Sequence, residues 1–162
     1  MDKIDLRILD LLQQDASRST AEVAEAVGLS PSPCWRRISL LQEQGVIRKR
    51  VALLDRARLG LTVTVIVSVR LTTHGRQSLA DFEERVRTFP EVIQCFTVMG
   101  AIDFVLTVVT TDIRAYERFM REHLSQLPGV QGIESNIVMT AIKDTTTLPL
   151  ELVSLEALSR KE

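Results

Sequence analysis

The stretch that decides the fold runs from Ser19 to Arg50 and reads STAEVAEAVGLSPSPCWRRISLLQEQGVIRKR. Its first part predicts a capped helix, because the Ser19 hydroxyl can accept a backbone N–H and Glu22 can reach back to complete a capping box. Gly28 predicts the end of that helix, since glycine adopts the left-handed backbone without steric cost. We therefore expect a short helix followed by a turn at Gly28 and Leu29.

A second helix is predicted directly after this turn. Ser30 stands in the capping position, and two prolines follow within the first helical turn, where backbone N–H groups have no intrahelical acceptor. Cys34, Ile38 and Leu41 then recur at helical spacing and predict a buried face. Two short helices joined by a tight turn are typical of a helix-turn-helix.

The outward face of the second helix is where such a motif meets base edges in the major groove. Arg36 is the leading candidate for reading a base, with Ser32 beside it and Arg37 on the flank. Val46 to Leu54 has a strand-like pattern with consecutive basic residues, which predicts a wing resting on phosphates. The predicted DNA-binding residues are Ser30, Ser32, Pro33, Trp35, Arg36, Arg37, Arg48, Lys49 and Arg50.

The distribution of charge favours a polyanionic partner. Residues 30–60 carry seven Lys or Arg and two Asp or Glu, a net charge of +5 in a chain whose total is −1, so the remainder carries −6. Localised basic charge is expected of a protein that binds duplex DNA. Alternatively, the basic side chains belong to an ordinary solvated surface that binds no partner. Trp35 either packs on the preceding helix, which we favour, or lies beside the sugar-phosphate backbone.

Composition limits the remaining possibilities. A chain of 162 residues with 45% hydrophobic and 25% charged content suits one or two small globular domains. The start of the chain does not resemble a signal peptide and no apolar run has membrane-spanning length, so we expect a cytoplasmic protein without a membrane partner. Cys34 and Cys95 are expected to be reduced core thiols, with a redox role as the alternative. His74 and His123 have no partners at metal-ligand spacing, so neither a metal nor a cofactor is predicted.

The second half has a different pattern. Residues 61–71 alternate apolar and polar side chains, which predicts a long half-buried strand. A helix ending before Pro90, strands at Val92–Met99 and Phe104–Thr110, a helix capped by Asp112, and a strand from Val130 to about Ile142 follow. This β-α-β-β-α-β order predicts a ferredoxin-like fold. One sheet face would remain uncovered, and we expect a second subunit to pair with it.

The predicted fold class is therefore α+β, with a winged helix-turn-helix followed by a ferredoxin-like βαββαβ domain. The predicted boundaries are 1–54 for the DNA-binding domain, 55–60 for a hinge, 61–147 for the ferredoxin-like domain and 148–162 for a tail. Leu150, Val153 and Leu158 could line one helical face of the tail. The tail then docks on its own subunit, joins a neighbour, or frays.

Taken in this order, the LSPSPCWRR segment, the basic wing, and the corner from Gly100 to Phe104 resemble the leucine-responsive regulatory protein/asparagine regulator (Lrp/AsnC) family. The similarity spans about residues 1–148. It implies a prokaryotic transcriptional regulator whose C-terminal domain assembles dimers into octamers or other higher oligomers. It also implies that a small amino acid binds between subunits as the effector.

Carried over position by position, the resemblance implies an effector site at the loop between the second and third strands and on the last strand. The Asp103 carboxylate would bind the ammonium group of the effector. The backbone amides beside Gly100 would bind the effector's carboxylate. Ordinary turn chemistry is the alternative for these two residues. Ala101, Ile102 and Ile133 depart from the family pattern. The implied effector-binding residues are Val98, Met99, Gly100, Ala101, Ile102, Asp103, Phe104 and Ser135.

Two rival functions are open at this point. A ferredoxin-like metabolite-binding module or an enzyme is possible, because fold alone does not settle function, although the sequence carries no recognised catalytic motif. The β-α-β-β-α-β order is also that of an RNA-recognition motif. In such a motif, aromatic side chains on the central strands stack on RNA bases, and Phe96 and Phe104 are the aromatic residues available here. The basic-glycine-aromatic signature of that motif is missing. Duplex DNA is the favoured partner.

Overall fold

The computed structural model describes residues 1–72 and 75–154, without the side chains of residues 75–78. His74 and Leu158, to which the sequence analysis assigned roles, lie outside the described residues. The described chain forms two compact units, one from Met1–Leu53 together with residues 143–154, the other from Leu54–Ile142. The predicted α+β class is confirmed.

The N-terminal unit contains three helices, α1 (Lys3–Gln14), α2 (Thr20–Val27) and α3 (Pro31–Glu43). The predicted capping box of α2 is present, with the Ser19 side chain accepting from the Glu22 N–H and the Glu22 side chain accepting from the Ser19 N–H. Gly28 ends α2 at a φ of 74°, where a side chain would strain the backbone. Ser30 occupies the N-cap of α3 but its side chain makes no capping bond, so the predicted cap is wrong. Pro31 at the first helical position lowers the need for one, since it has no N–H to satisfy.

A single core joins the three helices. Ile8 of α1, Val23 of α2 and Cys34 of α3 have no exposed surface, and Ile38 and Leu41 lie beside them. The predicted inward face of α3 is thus the buried one. Its opposite face lies at the protein surface by the geometry of a helix of 3.6 residues per turn.

The segment after α3 differs from its prediction. No strand forms between residues 44 and 62, all of which the structure describes, so the strand conformation predicted for the wing at Val46–Leu54 is wrong. The apolar residues that suggested a strand are largely exposed, including Leu53 and Leu54. A strand needs a neighbouring strand as its hydrogen-bonding partner, and no described strand pairs with residues 46–54. Residues 56–60 form a turn that ends at Gly60, with a φ of 77°.

The C-terminal unit is a four-stranded antiparallel sheet with two helices. Its elements are β1 (Val63–Leu71), α4 (Gly75–Val86), β2 (Val92–Thr97), β3 (Phe104–Thr110), α5 (Ile113–Glu122), a 3₁₀ turn at Leu124–Gln126, and β4 (Val130–Ile137); a second 3₁₀ turn, Leu150–Leu152, belongs to the other unit. The strand order is β2-β3-β1-β4. This arrangement confirms the ferredoxin-like prediction, although β2 and β4 both end earlier than expected.

One face of the sheet carries the core. Val65, Val67 and Val69 of β1 have no exposed surface, and both helices pack on their side through Phe82 of α4 and Phe119 of α5. The other sheet face includes the alternate residues Thr64, Ile66 and Ser68 of β1, Val105 and Thr107 of β3, and Gln94 and Phe96 of β2, as the register requires. We call these seven residues the open face.

Two methionines of this unit lie at the surface. Met99 and Met139 follow the ends of β2 and β4, and both are fully exposed. Cys95 was expected to be buried and is exposed, whereas Cys34 is buried as predicted. Across the described ranges, no helix is long and apolar enough to cross a membrane.

Phe82 of α4 and Phe104 of β3 are the two largest fully buried side chains among the described residues, and their rings stack with centroids 4.4 Å apart. We expect Phe104→Ala to lower the free energy of unfolding by about 3–5 kcal/mol, because it leaves a cavity between α4 and β3. Ile93→Ala is a control on the neighbouring strand β2, where 53% of the residue is exposed and the open face is not involved, and it should cost less than about 1 kcal/mol. Urea unfolding followed by circular dichroism measures both. Equal losses would contradict a core role for Phe104.

Candidate functional site

The exposed face of α3 presents three of the predicted DNA-binding side chains. Ser32 and Arg36 lie one helical turn apart and are exposed, and Trp35 lies between them with 59% of its surface exposed. Packing of Trp35 on the preceding helix was favoured from sequence, and the structure leaves most of the residue exposed. Pro33 is half-buried, while Ser30 is exposed at the N-cap. This face offers a hydroxyl, an indole and a guanidinium, which are groups that contact bases and phosphates.

Arg37 is placed differently from the prediction. Its Nη1 donates to Asp2 Oδ2 at 2.8 Å and to Asp5 Oδ1 at 2.7 Å, and only 32% of its side chain is exposed. The guanidinium therefore binds the N-terminus of α1, and its predicted entry into the major groove is corrected. At helical spacing, Arg36 and Arg37 point about 100° apart, so one faces outward and the other faces α1.

The carboxylates that bind Arg37 also cap α1. Asp2 Oδ1 accepts the Ile4 and Asp5 N–H groups at 2.8 and 2.9 Å, and Asp5 Oδ2 accepts the Asp2 N–H at 2.7 Å. The Asp5 backbone N–H, followed by the Arg37 guanidinium, lowers the pKa of Asp2 below its ordinary 3.8. The same two carboxylates, Asp5 first, raise the pKa of Arg37. This cluster fixes α3 against α1 and was missed from sequence, where the spacing of Asp2 and Asp5 was the available signal.

The basic segment after α3 begins at a fixed point. Ile47 packs against the helical core and its N–H donates to the Leu41 carbonyl at 3.0 Å. Arg48, Lys49 and Arg50 follow immediately and are exposed, and none forms an ion pair with a described residue. Three unpaired cations at the C-terminal end of the helix-turn-helix are therefore available to an anionic partner, although they do not lie on a strand.

The loop between β2 and β3 is fastened to β1. Asp103 donates its N–H to the Val69 carbonyl at 2.9 Å and accepts the Leu71 N–H on Oδ2 at 2.7 Å, while its carbonyl accepts the Val98 N–H at 2.9 Å. Arg70 Nε donates to the Ala101 carbonyl at 3.0 Å. Gly100 has a φ of 146°, a conformation that L side chains rarely adopt. Asp103 thus has a structural role in the loop, and one of its oxygens is already occupied.

The other predicted effector residues do not all share one surface. Phe104 is 1% exposed and stacks on Phe82, so the structure contradicts its predicted contact with an effector. Ser135 lies on β4 opposite Val67 and hydrogen-bonds the Tyr116 hydroxyl of α5, on the helix side of the sheet. Met99 and Ala101 are exposed and Ile102 is half-buried. The loop and Ser135 flank β1 from opposite sides, with β3 and β4 as its two neighbours.

A cavity of about 290 Å³ lies elsewhere in the C-terminal unit, at the end of β3 and beside α5. Val109, Ala115 and Phe119 provide apolar lining, and Glu91 and Arg118 provide charge. None of the eight predicted effector residues is among the described residues that line it. Among the described residues no cluster of His, Cys, Asp and Glu could hold a metal ion.

The sequence matches two family profiles, one over the three N-terminal helices and one over the part that contains the four-stranded sheet. Residues 1–48 match a winged helix-turn-helix DNA-binding domain, and residues 64–148 match the Lrp/AsnC ligand binding domain. The chain belongs to the Lrp/AsnC family. A curated member, the DNA-binding transcriptional activator DecR of Escherichia coli K12, is 36% identical over 151 residues, which cover 93% of this chain and 99% of that protein.

Solved structures agree with this membership. An AsnC family transcriptional regulator from Agrobacterium tumefaciens is 43% identical with a TM-score of 0.89, over 93% of this chain and 98% of that one. The transcriptional regulator NMB0573 of Neisseria meningitidis, solved as an L-Met complex, is 37% identical with a TM-score of 0.89, over 93% and 97% of the two chains. The relatives of this Lrp/AsnC protein are DNA-binding transcriptional regulators with a ligand-binding domain, and not enzymes.

The Arg37 cluster predicts a difference between two adjacent arginines. Arg37→Ala should lower the free energy of unfolding of the N-terminal unit by about 1–2 kcal/mol, because it removes two charge-assisted hydrogen bonds that are partly screened by solvent. Arg36→Ala, the matched control one residue away, should change it by less than about 0.5 kcal/mol. Denaturant unfolding of both variants measures the difference, and equal effects would mean that the cluster does not stabilise the unit.

Acid titration is a second test of the ion pairs between Arg37 and the α1 carboxylates. Because the pKa of Asp2 is lowered in the folded state, its contribution to stability is complete above the ordinary value of 3.8 and is lost as the pH falls through the lowered folded value. The stability of Arg37→Ala should decline less steeply than that of the parent over this acid range. Parallel curves would exclude Arg37 as a cause of the lowered pKa.

Proposed function

We propose that this Lrp/AsnC protein is a sequence-specific transcriptional regulator in which the exposed face of α3 reads base edges in the major groove. The observation that carries the proposal is the pair of Ser32 and Arg36, exposed one turn apart on a helix whose other face is fully buried. A guanidinium can bind the O6 and N7 atoms of guanine in a bidentate manner. Trp35 lies against the sugar-phosphate backbone at the edge of the same face.

Arg48, Lys49 and Arg50 bind phosphates in this proposal. Their exposure and lack of carboxylate partners support the assignment, because a paired cation gains less from a phosphate than an unpaired one. Ser30 and Pro33 at the start of α3 approach the backbone of the DNA. Backbone contacts fix the position of the protein on the duplex, whereas base contacts select the sequence.

The regulator works as a homodimer that assembles to an octamer or another higher oligomer. The open face supports pairing with a second copy, since Ile66 and Val105 lie at its centre and Phe96 is 55% exposed at its edge. A two-fold dimer presents two α3 helices to two half-sites of a pseudo-palindromic operator. Light scattering at the concentrations used for DNA binding measures the mass of the assembly.

The effector is a small amino acid held at the loop from Val98 to Asp103, between subunits. The L-Met complex of the N. meningitidis relative supports this class of ligand. Asp103 uses Oδ2 for the Leu71 N–H, and its Oδ1 forms no hydrogen bond with a described residue, so it can accept an ammonium group. Exposed Met99 and half-buried Ile102 supply apolar surface for a side chain. Ser135 contributes through its hydroxyl from β4.

DNA binding tests the assignment of α3. Fluorescence anisotropy near physiological salt should show that the protein prefers the duplex upstream of its own gene to a scrambled duplex. Arg36→Ala should weaken specific binding by about 1–3 kcal/mol and relax one base position, whereas Lys49→Ala should weaken all duplexes alike and reduce the salt slope by about one. Trp35 is the single tryptophan, so its fluorescence reports directly on α3.

The control for this experiment is Arg37→Lys, which retains a cation beside the α1 carboxylates and should leave the ranking of duplexes unchanged. Unaltered affinity in both Arg36→Ala and Lys49→Ala would contradict the assignment of this face. Equal weak binding to both duplexes would indicate another operator or an architectural role. An absence of binding at low salt would favour a metabolite-binding module.

Effector binding is tested by calorimetric titration with a panel of amino acids that begins with L-methionine. Asp103→Asn retains an oxygen acceptor for the Leu71 N–H but removes the negative charge, so it should weaken amino-acid binding by about tenfold or more while leaving stability nearly unchanged. Asp112→Asn is a control on the N-cap of α5, which the whole length of β3 separates from the loop. Equal affinities for parent and Asp103→Asn would exclude this carboxylate as the ammonium site.

A further inference from the structure

The chain does not end with the C-terminal unit. It leaves the sheet after β4, passes Ile142, and rejoins the N-terminal unit, so residues 143–154 belong to the same compact unit as residues 1–53. We call residues 143–154 the strap. The polypeptide therefore connects the two units twice, once near residue 53 and once near residue 142.

One side chain of α1 binds the backbone of the strap. Gln13 Nε2 donates to the Leu148 carbonyl at 3.0 Å, and Gln13 Oε1 accepts the Leu148 N–H at 2.9 Å. A carboxamide thus binds both polar groups of one residue, as a neighbouring strand does in a sheet. We call this pair of hydrogen bonds the latch. It joins residues that are 135 positions apart in the sequence.

The chemistry of the latch requires glutamine at position 13. A carboxamide carries an acceptor and a donor on one planar group, whereas a carboxylate has no donor and an ammonium has no acceptor. Asp10 determines which end of the group is the donor, since its Oδ1 accepts a second hydrogen of Gln13 Nε2 at 3.1 Å and a carboxylate can only accept. Gln14, the adjacent residue, bonds Asp10 Oδ2 at 3.0 Å and is otherwise exposed.

The strap has a backbone suited to this contact. Pro149 disfavours helical backbone at Leu148 and favours an extended conformation there. The N–H and carbonyl of an extended residue can both be reached from the same side. Beyond Pro149 the chain folds back through the 3₁₀ turn Leu150–Leu152, and Leu150 and Val153 become half-buried while Leu152 remains 78% exposed. The latch therefore depends on backbone atoms of Leu148, whose own side chain is 66% exposed.

We propose that the strap is a second, latched connection that restrains the DNA-binding unit, and that Gln13 is the positioning residue that holds it. With the latch closed, α1 is attached to the C-terminal unit through both the linker near residue 53 and the strap. With the latch open, only the linker restrains it. This inference rests on the proposed DNA-binding function, because a restrained unit matters most where two copies must meet two half-sites at fixed spacing.

Hydrogen exchange in the full-length protein tests the latch without reference to DNA. The Leu148 amide should exchange about five- to tenfold more slowly in the parent than in Gln13→Glu, the factor that one net hydrogen bond supplies. Gln14→Glu introduces the same charge beside Asp10 and should exchange like the parent. Leu148→Ala retains the backbone groups and should also keep the protection. Equal Leu148 exchange in parent, Gln13→Glu and Gln14→Glu would overturn the latch.

Two duplexes then test the restraint. One contains a single half-site of the duplex upstream of the gene, and the other contains two half-sites a helical turn apart. Gln13→Glu and a chain ending at Thr146 should bind the single half-site as the parent does, but bind the double site about three- to tenfold more weakly, because a less restrained unit has a lower effective concentration at the second half-site.

The outcomes separate the strap from the proposed function. Altered exchange in Gln13→Glu with an unchanged ratio of double-site to single-site affinity would overturn the restraint. If the parent itself does not distinguish the upstream duplex from a scrambled one, the proposed function fails and the effect of the strap on DNA binding fails with it. The exchange experiment would still decide whether Gln13 holds Leu148.

Discussion

Helix α3 has to serve two surfaces at once, and the N-terminal unit depends on that division. Cys34, Ile38 and Leu41 are buried against α1 and α2, which fixes the rotation of the helix about its axis. The same rotation exposes Ser32 and Arg36 one turn apart. The polar residues of the outer face do not need to stabilise the fold, because burial of the inner face does so. That burial contributes roughly 25 cal/mol for each Å² of apolar surface removed from water.

The C-terminal unit follows the same division across a sheet. Val65, Val67 and Val69 of β1 have no exposed surface, so the residues that alternate with them lie on the open face. Central position also gives β1 a second role, since the backbone groups of Val69 and Leu71 anchor Asp103 and with it the β2–β3 loop. A ligand that displaced Asp103 would have to break hydrogen bonds to the central strand. Binding to the loop in its present shape avoids that cost.

Local patterns made most of the architecture predictable. The capping box at Ser19, the glycine at position 28 and the strict alternation along β1 act over a few residues, and all three have the expected structure. The failures involve partners distant in sequence or missing within one subunit. Arg37 binds carboxylates 32 and 35 residues away, and Phe104 stacks on a residue of α4. The exposed Met99 has no partner within one described chain, so an apolar residue alone did not establish burial.

The structure also changes the meaning of the charge count. Seven basic residues lie between positions 30 and 60, but Arg37 is bound to two aspartates, Arg58 pairs with Asp55 at 3.4 Å, and Arg56 donates to Thr64 Oγ1 at 3.3 Å. Residues 56 and 58 moreover belong to the C-terminal unit. Four cations of the basic stretch therefore lie in the N-terminal unit and are available to DNA, namely Arg36, Arg48, Lys49 and Arg50. If three of these bind phosphates and Arg36 reads a base, each subunit contributes about three released counterions, so steep salt dependence requires more than one subunit on the DNA.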